Sequence, residues 1–188
     1  MAAYHIVLVH FPIALWTTAA LAILIRALSD GPFAKACDRV LVPLLVLGIA
    51  GGVAAYVVGL LVWPWDALAS SALGRNHMLA ATWSLAYWTL VAVVRWRAGD
   101  AIWNGAGRWI MLGLAGLGTG LLTIAGTLGG HLSGTATLVS QMLRLFGWEV
   151  YTTFYVPDFT LVVILVAAVA LVAIGFWSGR TTTERAAT

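Results

Sequence analysis

The sequence predicts an all-α integral membrane bundle of five transmembrane helices, N-terminus outside and C-terminus inside, and three observations carry that prediction. Of 188 residues, 62% are apolar and only 9% charged, where soluble domains carry roughly a quarter of charged residues. Five apolar runs reach or approach the roughly 20 residues that a helix needs to cross a hydrocarbon core of about 30 Å. The basic residues gather in the connections on one side of those runs, which orients the chain by the positive-inside rule.

The runs are Tyr4–Ile25, Val40–Val62, His77–Val94, Trp109–Gly130 and Phe159–Trp177. Ordinary stop signals separate them: Ser29-Asp30-Gly31-Pro32, Trp63-Pro64-Trp65-Asp66, Ala98-Gly99-Asp100 and Val156-Pro157-Asp158. Pro12 lies inside the first run and frees the carbonyl of Leu8, so a bend near His10 is expected. Pro43 falls in the expected first turn of the second helix, where a missing amide proton costs little. Asp30, Asp38 and Asp100 read as loop and cap residues, and no fixed-period repeat is visible.

Arg26, Lys35 and Arg39 flank the first connection, Arg95, Arg97 and Arg108 the third, and Arg180 and Arg185 follow the last run; the opposite side holds only Arg75 and Arg144. The basic side is therefore expected to be cytoplasmic. Trp63, Trp65, Trp148 and Tyr151 then fall near the outer interface and Trp96, Trp103, Trp109 and Trp177 near the inner one, as anchoring belts. The small net charge of +3 is accounted for by orientation and does not point to nucleic acid. The N-terminus lacks the basic region of a secretory signal and reads as a retained helix. The single cysteine, Cys37, has no intrachain partner, and no C-x-x-C-H is present to attach a c-type haem.

Two further segments have character of their own. Between Leu132 and Pro157, Val139, Met142, Leu143, Phe146 and Val150 recur at helical spacing while Gln141, Arg144 and Glu149 face elsewhere. That is the pattern of an amphipathic helix on the outer surface, placed to cap whatever lies beneath it. The fourth run is rich in glycine, and Gly116-x-x-x-Gly120 and Gly126-x-x-x-Gly130 fit close approach of a neighbouring helix or of a flat macrocycle.

All four histidines fall at one end of the runs: His5 and His10 in the first, His77 at the start of the third, His131 at the end of the fourth. A titratable side chain within a span is costly and turns toward the bundle interior with a partner. Neutral imidazole is the commonest ligand of transition metals and a ligand of haem iron, and helix bundles hold cofactors through side chains projecting inward from facing helices. His5 and His10 differ by about 140° around the helix and about 7 to 8 Å along it, so each needs a partner from another helix to share one iron. His77 and His131 are the candidates, which allows two bis-histidine haems, or one haem with two histidines left for hydrogen bonding. Arg75 and Arg144 are the candidates to pair with haem propionates. Copper held by the same imidazoles is the alternative. No carboxylate pair or Ser/His/Asp order points to catalysis, so the chain reads at most as the electron-transfer subunit of an oxidoreductase complex.

The stretch His5-Ile6-Val7-Leu8-Val9-His10-Phe11-Pro12-Ile13 resembles the opening motif, H-x(4)-H-F-P-I, of a bacterial family of predicted membrane proteins of unknown function. Further likenesses are Gly51-Gly52 and Gly59, Arg75-Asn76-His77, and Leu128-Gly129-Gly130-His131-Leu132, so the resemblance covers residues 4 to 135. The family resembles small b-type cytochromes encoded near c-type cytochromes and periplasmic oxidoreductases. That resemblance implies a haem b-binding electron-transfer subunit of the bacterial inner (cytoplasmic) membrane, a component of a hetero-oligomeric complex, serving an extracytoplasmic redox partner such as a c-type cytochrome and quinone or another cytochrome. Residues 1–135 form the family-like core with the histidines; 136–188 add the amphipathic segment and the fifth span, a departure from the family pattern. A cofactor-free membrane scaffold is the competing expectation.

Overall fold

The computed structural model describes residues 2–153 and positions 162, 163, 165–170 and 173. Among the described residues the chain is helical throughout, and four helices are long and apolar enough to cross a membrane: α1 (Ala2–Leu28), α2 (Pro32–Val62), α4 (Ala72–Ala98) and α5 (Gly107–Leu132). Two short helices join them, α3 (Trp65–Ala69) ahead of α4 and α6 (Leu138–Leu145) after α5. The chain has the length and composition of a multi-pass membrane protein, and its polar backbone is satisfied within each helix, as hydrocarbon requires. The expected fifth span, Phe159–Trp177, lies largely outside the described residues.

Each of the four long helices begins earlier than its apolar run, and all but α2 also end later. α2 starts at Pro32, whose ring suits a first helical position after Gly31, so Pro43 sits well inside the helix and not in its first turn. α4 starts behind Ser71, whose hydroxyl accepts from the Gly74 amide at 3.0 Å, and ends at Gly99, which takes φ 55. α1 packs against α2 and α5, and α4 against α5 and α2, closing a four-membered ring of antiparallel helices. One end of this ring carries the histidines, and the other carries Arg26, Arg95, Arg97 and Arg108.

The arginine half is solid. Trp16, Ile23, Leu41, Leu45, Trp88, Val91, Trp103 and Met111 form its core, and the indoles of Trp16 and Trp88 stack at 5.7 Å and 12°. Trp103, expected as an interfacial anchor, is only 1% exposed. Its ring lies beneath the guanidinium groups of Arg26 and Arg95, at 5.4 and 5.9 Å. Asp38 is likewise no loop residue: it sits within α2 and takes Arg95 of α4 bidentately at 2.8 and 2.7 Å, with both side chains under 10% exposed. Arg95 also reaches Asp100 at 3.1 Å. Asp30 receives Arg26 of α1 and Arg108 of α5, which hold its carboxyl below the usual 3.8.

The two helix pairs, α1–α2 and α4–α5, repeat one another. His5 precedes Trp16 by the same eleven positions that separate His77 from Trp88. Gly48 of α2 makes room for Trp16 as Gly118 of α5 does for Trp88; a Cβ on Gly48 would strike the Trp16 indole, and one on Gly118 would stand 3.0 Å from that of Trp88. The correspondence shows no fixed sequence period because its matching positions are scattered among unlike residues.

Candidate functional site

At the histidine end the ring of helices is hollow. A cavity of about 360 Å³ is enclosed by α1, α2, α4 and α5, and His5, His10 and His77 line it. That volume falls in the range that holds a small-molecule ligand, roughly 300–1,000 Å³. Its walls are chiefly apolar, and its floor is Trp16, Ser84 and Leu85, about 16 Å below His5 at the helical rise per residue.

His5 and His77 are presented in equivalent ways. His5 Nδ1 lies 2.8 Å from the carbonyl oxygen of Ala55 on α2, and His77 Nδ1 lies 3.1 Å from that of Ala125 on α5. The sequence separations are 50 and 48 residues, so each helix pair serves its own histidine. A carbonyl oxygen only accepts, so Nδ1 carries the proton in both rings and Nε2 keeps its lone pair. Four residues beyond each acceptor stands a glycine that seats the ring: a Cβ on Gly59 would be 2.8 Å from His5 Cε1, and one on Gly129 would be 3.0 Å from His77 Cε1. Trp63 meets the His5 ring edge-on at 5.2 Å.

The remaining expected site residues take other positions. His10 lines the cavity from an exposed site on α1, its Nδ1 2.6 Å from the Ile6 carbonyl one turn back. His131 is not among the residues lining the cavity; its Nδ1 is hydrogen-bonded to the Tyr151 hydroxyl at 2.9 Å, with the rings edge to face. Arg75 is 6% exposed and its Nε donates to the Ala69 carbonyl; Arg144 is exposed and pairs with Glu149 at 2.9 Å. Neither arginine lines the cavity. The structure thus brings three of the four histidines to one chamber and leaves His131 with the segment that follows α5.

That segment is fastened to the bundle. Val150 is buried against Leu73, Ala80, Ala125 and Leu128, and the Asn76 side chain donates to the Thr153 carbonyl at 3.1 Å. α6 buries Ser140 and exposes Leu138, Met142 and Leu145, with Phe146 exposed just after it, while Val139 and Leu143 of the expected apolar face are half-buried and Val150 is buried. Of the glycines on α5, Gly118 and Gly129 serve packing, whereas Gly113, Gly116, Gly120 and Gly126 face open space.

Sequence reasoning missed the two acceptor-and-seat pairs, Ala55-x-x-x-Gly59 and Ala125-x-x-x-Gly129, whose matched spacing was the available signal. It also missed Tyr56, hydrogen-bonded to Thr82 at 2.8 Å beside the cavity, and Ser84, buried at the floor with no hydrogen-bond partner for its hydroxyl among the described residues. Compared with protein-family models, curated proteins and solved structures, the chain matches none.

Proposed function

We propose that the chain is a haem b-binding membrane electron-transfer subunit, in which His5 and His77 would hold the iron of one haem. One observation carries this reading: two imidazoles from matching places in the two helix pairs each give Nδ1–H to a neighbouring helix's carbonyl, keep Nε2 free, and line one apolar chamber. Ligating histidines are oriented in this way, by a hydrogen bond from the ring nitrogen that does not bind the metal, which fixes the tautomer and raises basicity.

The donor set favours a macrocycle over a bare ion. Among the described residues no group of three or more His, Cys, Asp or Glu side chains converges, whereas protein sites for bare copper or zinc use three or four such ligands. A porphyrin brings its own four nitrogens and asks the protein for two. Bound there, haem supplies reversible one-electron transfer. Gly59 and Gly129 set the rings' positions, the apolar walls exclude water, and burial tunes the potential. A partner on the histidine side, such as a periplasmic c-type cytochrome, and quinone or a second cytochrome complete the transfer in the bacterial inner membrane. On this reading the histidine side is extracytoplasmic, consistent with the arginines at the opposite end.

The test is a reduced-minus-oxidised visible spectrum of the purified chain with an iron analysis. An α-band of haem b with about one iron per chain is expected, lost in His5→Leu and His77→Leu and retained in His131→Leu. A preparation with neither band nor iron after reconstitution with haemin would end this reading in favour of a cofactor-free scaffold; copper without iron would favour the copper alternative.

A further inference from the structure

We infer that the cavity opens sideways to the lipid between α1 and α5, and that His10 at this mouth accepts a hydrogen bond from the hydroxyl of a membrane-dissolved quinol. Ile6, His10, Gly126 and Leu132, from α1 and α5, line the cavity and are exposed, unlike buried residues of its lining such as Trp16, Ala55 and Ala125. A Cβ on Gly126 would meet nothing within 4 Å, so α5 leaves the gap unfilled. His10 lies about 9 Å along α1 from Tyr4, where the span begins, by the rise per residue. An exposed position at that depth faces hydrocarbon, where an ionisable side chain is costly and marks function.

The chemistry of this imidazole selects its ligand. Its Nδ1 sits 2.6 Å from the Ile6 carbonyl oxygen, which only accepts, so the proton resides on Nδ1 and Nε2 offers a lone pair at the mouth. The ligand must therefore dissolve in lipid, be slim enough to enter beside a glycine, and present an O–H donor. A hydroquinone with an isoprenoid or alkyl tail satisfies all three. Its oxidised form does not, because quinone carbonyls are acceptors and would face another acceptor. The choice of a quinol over any other hydroxyl-bearing lipid rests on the electron-transfer reading above; the mouth and the lone pair do not.

The experiment is calorimetric titration of the full chain in lipid nanodiscs with decylbenzoquinol under dithionite, decylbenzoquinone under ferricyanide, and decanol, for wild type and His10→Leu. The wild type is expected to bind the quinol at least tenfold more tightly than the quinone or decanol. His10→Leu is expected to lose about tenfold for the quinol alone, with its visible spectrum and melting temperature unchanged. Equal binding of both redox forms by the wild type overturns the inference, as does decanol binding as tightly as the quinol, or a folded His10→Leu that binds the quinol undiminished. Because the α-band is read on the same samples, the two failures are separable. Quinol selectivity without a band removes the haem and keeps the mouth; a band without selectivity does the reverse.

Discussion

Replacing Gly59 by alanine tests the seat of His5 directly. The added Cβ would stand 2.8 Å from His5 Cε1, and ordinary carbon contacts begin near 3.4 Å, so the ring must retreat by about 0.6 Å. Retreat stretches the 2.8 Å hydrogen bond to Ala55 toward its limit. Overpacking of this kind costs about 1–3 kcal/mol, while a glycine-to-alanine change within a helix returns up to about 1 kcal/mol of propensity. Gly126→Ala is the control: it collects the same propensity and meets open space, so the difference between the two variants isolates the collision at about 1–3 kcal/mol. Equilibrium unfolding in mixed detergent micelles measures it, and the visible spectrum of any bound haem should shift in Gly59→Ala and stay fixed in Gly126→Ala. A difference below about 0.5 kcal/mol, or equal damage from Gly126→Ala, would refute the claim that the glycine exists to seat the imidazole.

Two further predictions concern the arginine end. Asp38→Ala should cost up to about 3–5 kcal/mol because it leaves the buried Arg95 guanidinium with only the exposed Asp100 as counter-charge, and the double variant Asp38→Leu/Arg95→Met should recover most of that loss in the same unfolding assay; a strictly additive double variant would deny the pairing. Asp30 has its carboxyl held below 3.8 by Arg26 and then Arg108, so its stabilising contribution is present above pH 3.8 and lost as pH falls through the lowered value. Melting temperature measured across that acid range should therefore fall more for the wild type than for Asp30→Asn.

The spans were legible because lipid imposes a single demand, about 20 apolar residues in helix, and hydropathy meets it at four places where α1, α2, α4 and α5 stand. Helix ends were not, because charged residues that look like stop signals are paired inside the fold. Asp38 and Arg95 lie 57 residues apart, and neither sequence neighbourhood announces the other. The same holds at the cavity. That His5 and His10 lie about 140° apart followed from helical periodicity, but the phase of α1 against α2 decides which ring finds a carbonyl, and it gives Ala55 to His5. Arg75 was placed correctly beside His77 in sequence, yet the turn after α3 claims its guanidinium through Ala69.

Trp16, at the floor of the chamber, is backed by the stacked indole of Trp88, so two flat rings from opposite halves of the chain meet beneath it. A molecule lodged above it rests on the packed core of the arginine half. On the reading proposed above, loading, exchange and contact with any docking protein take place in the histidine half of the bundle. The rest of the barrier is insulation, and its thickness is set by the packed tryptophans and arginines beneath.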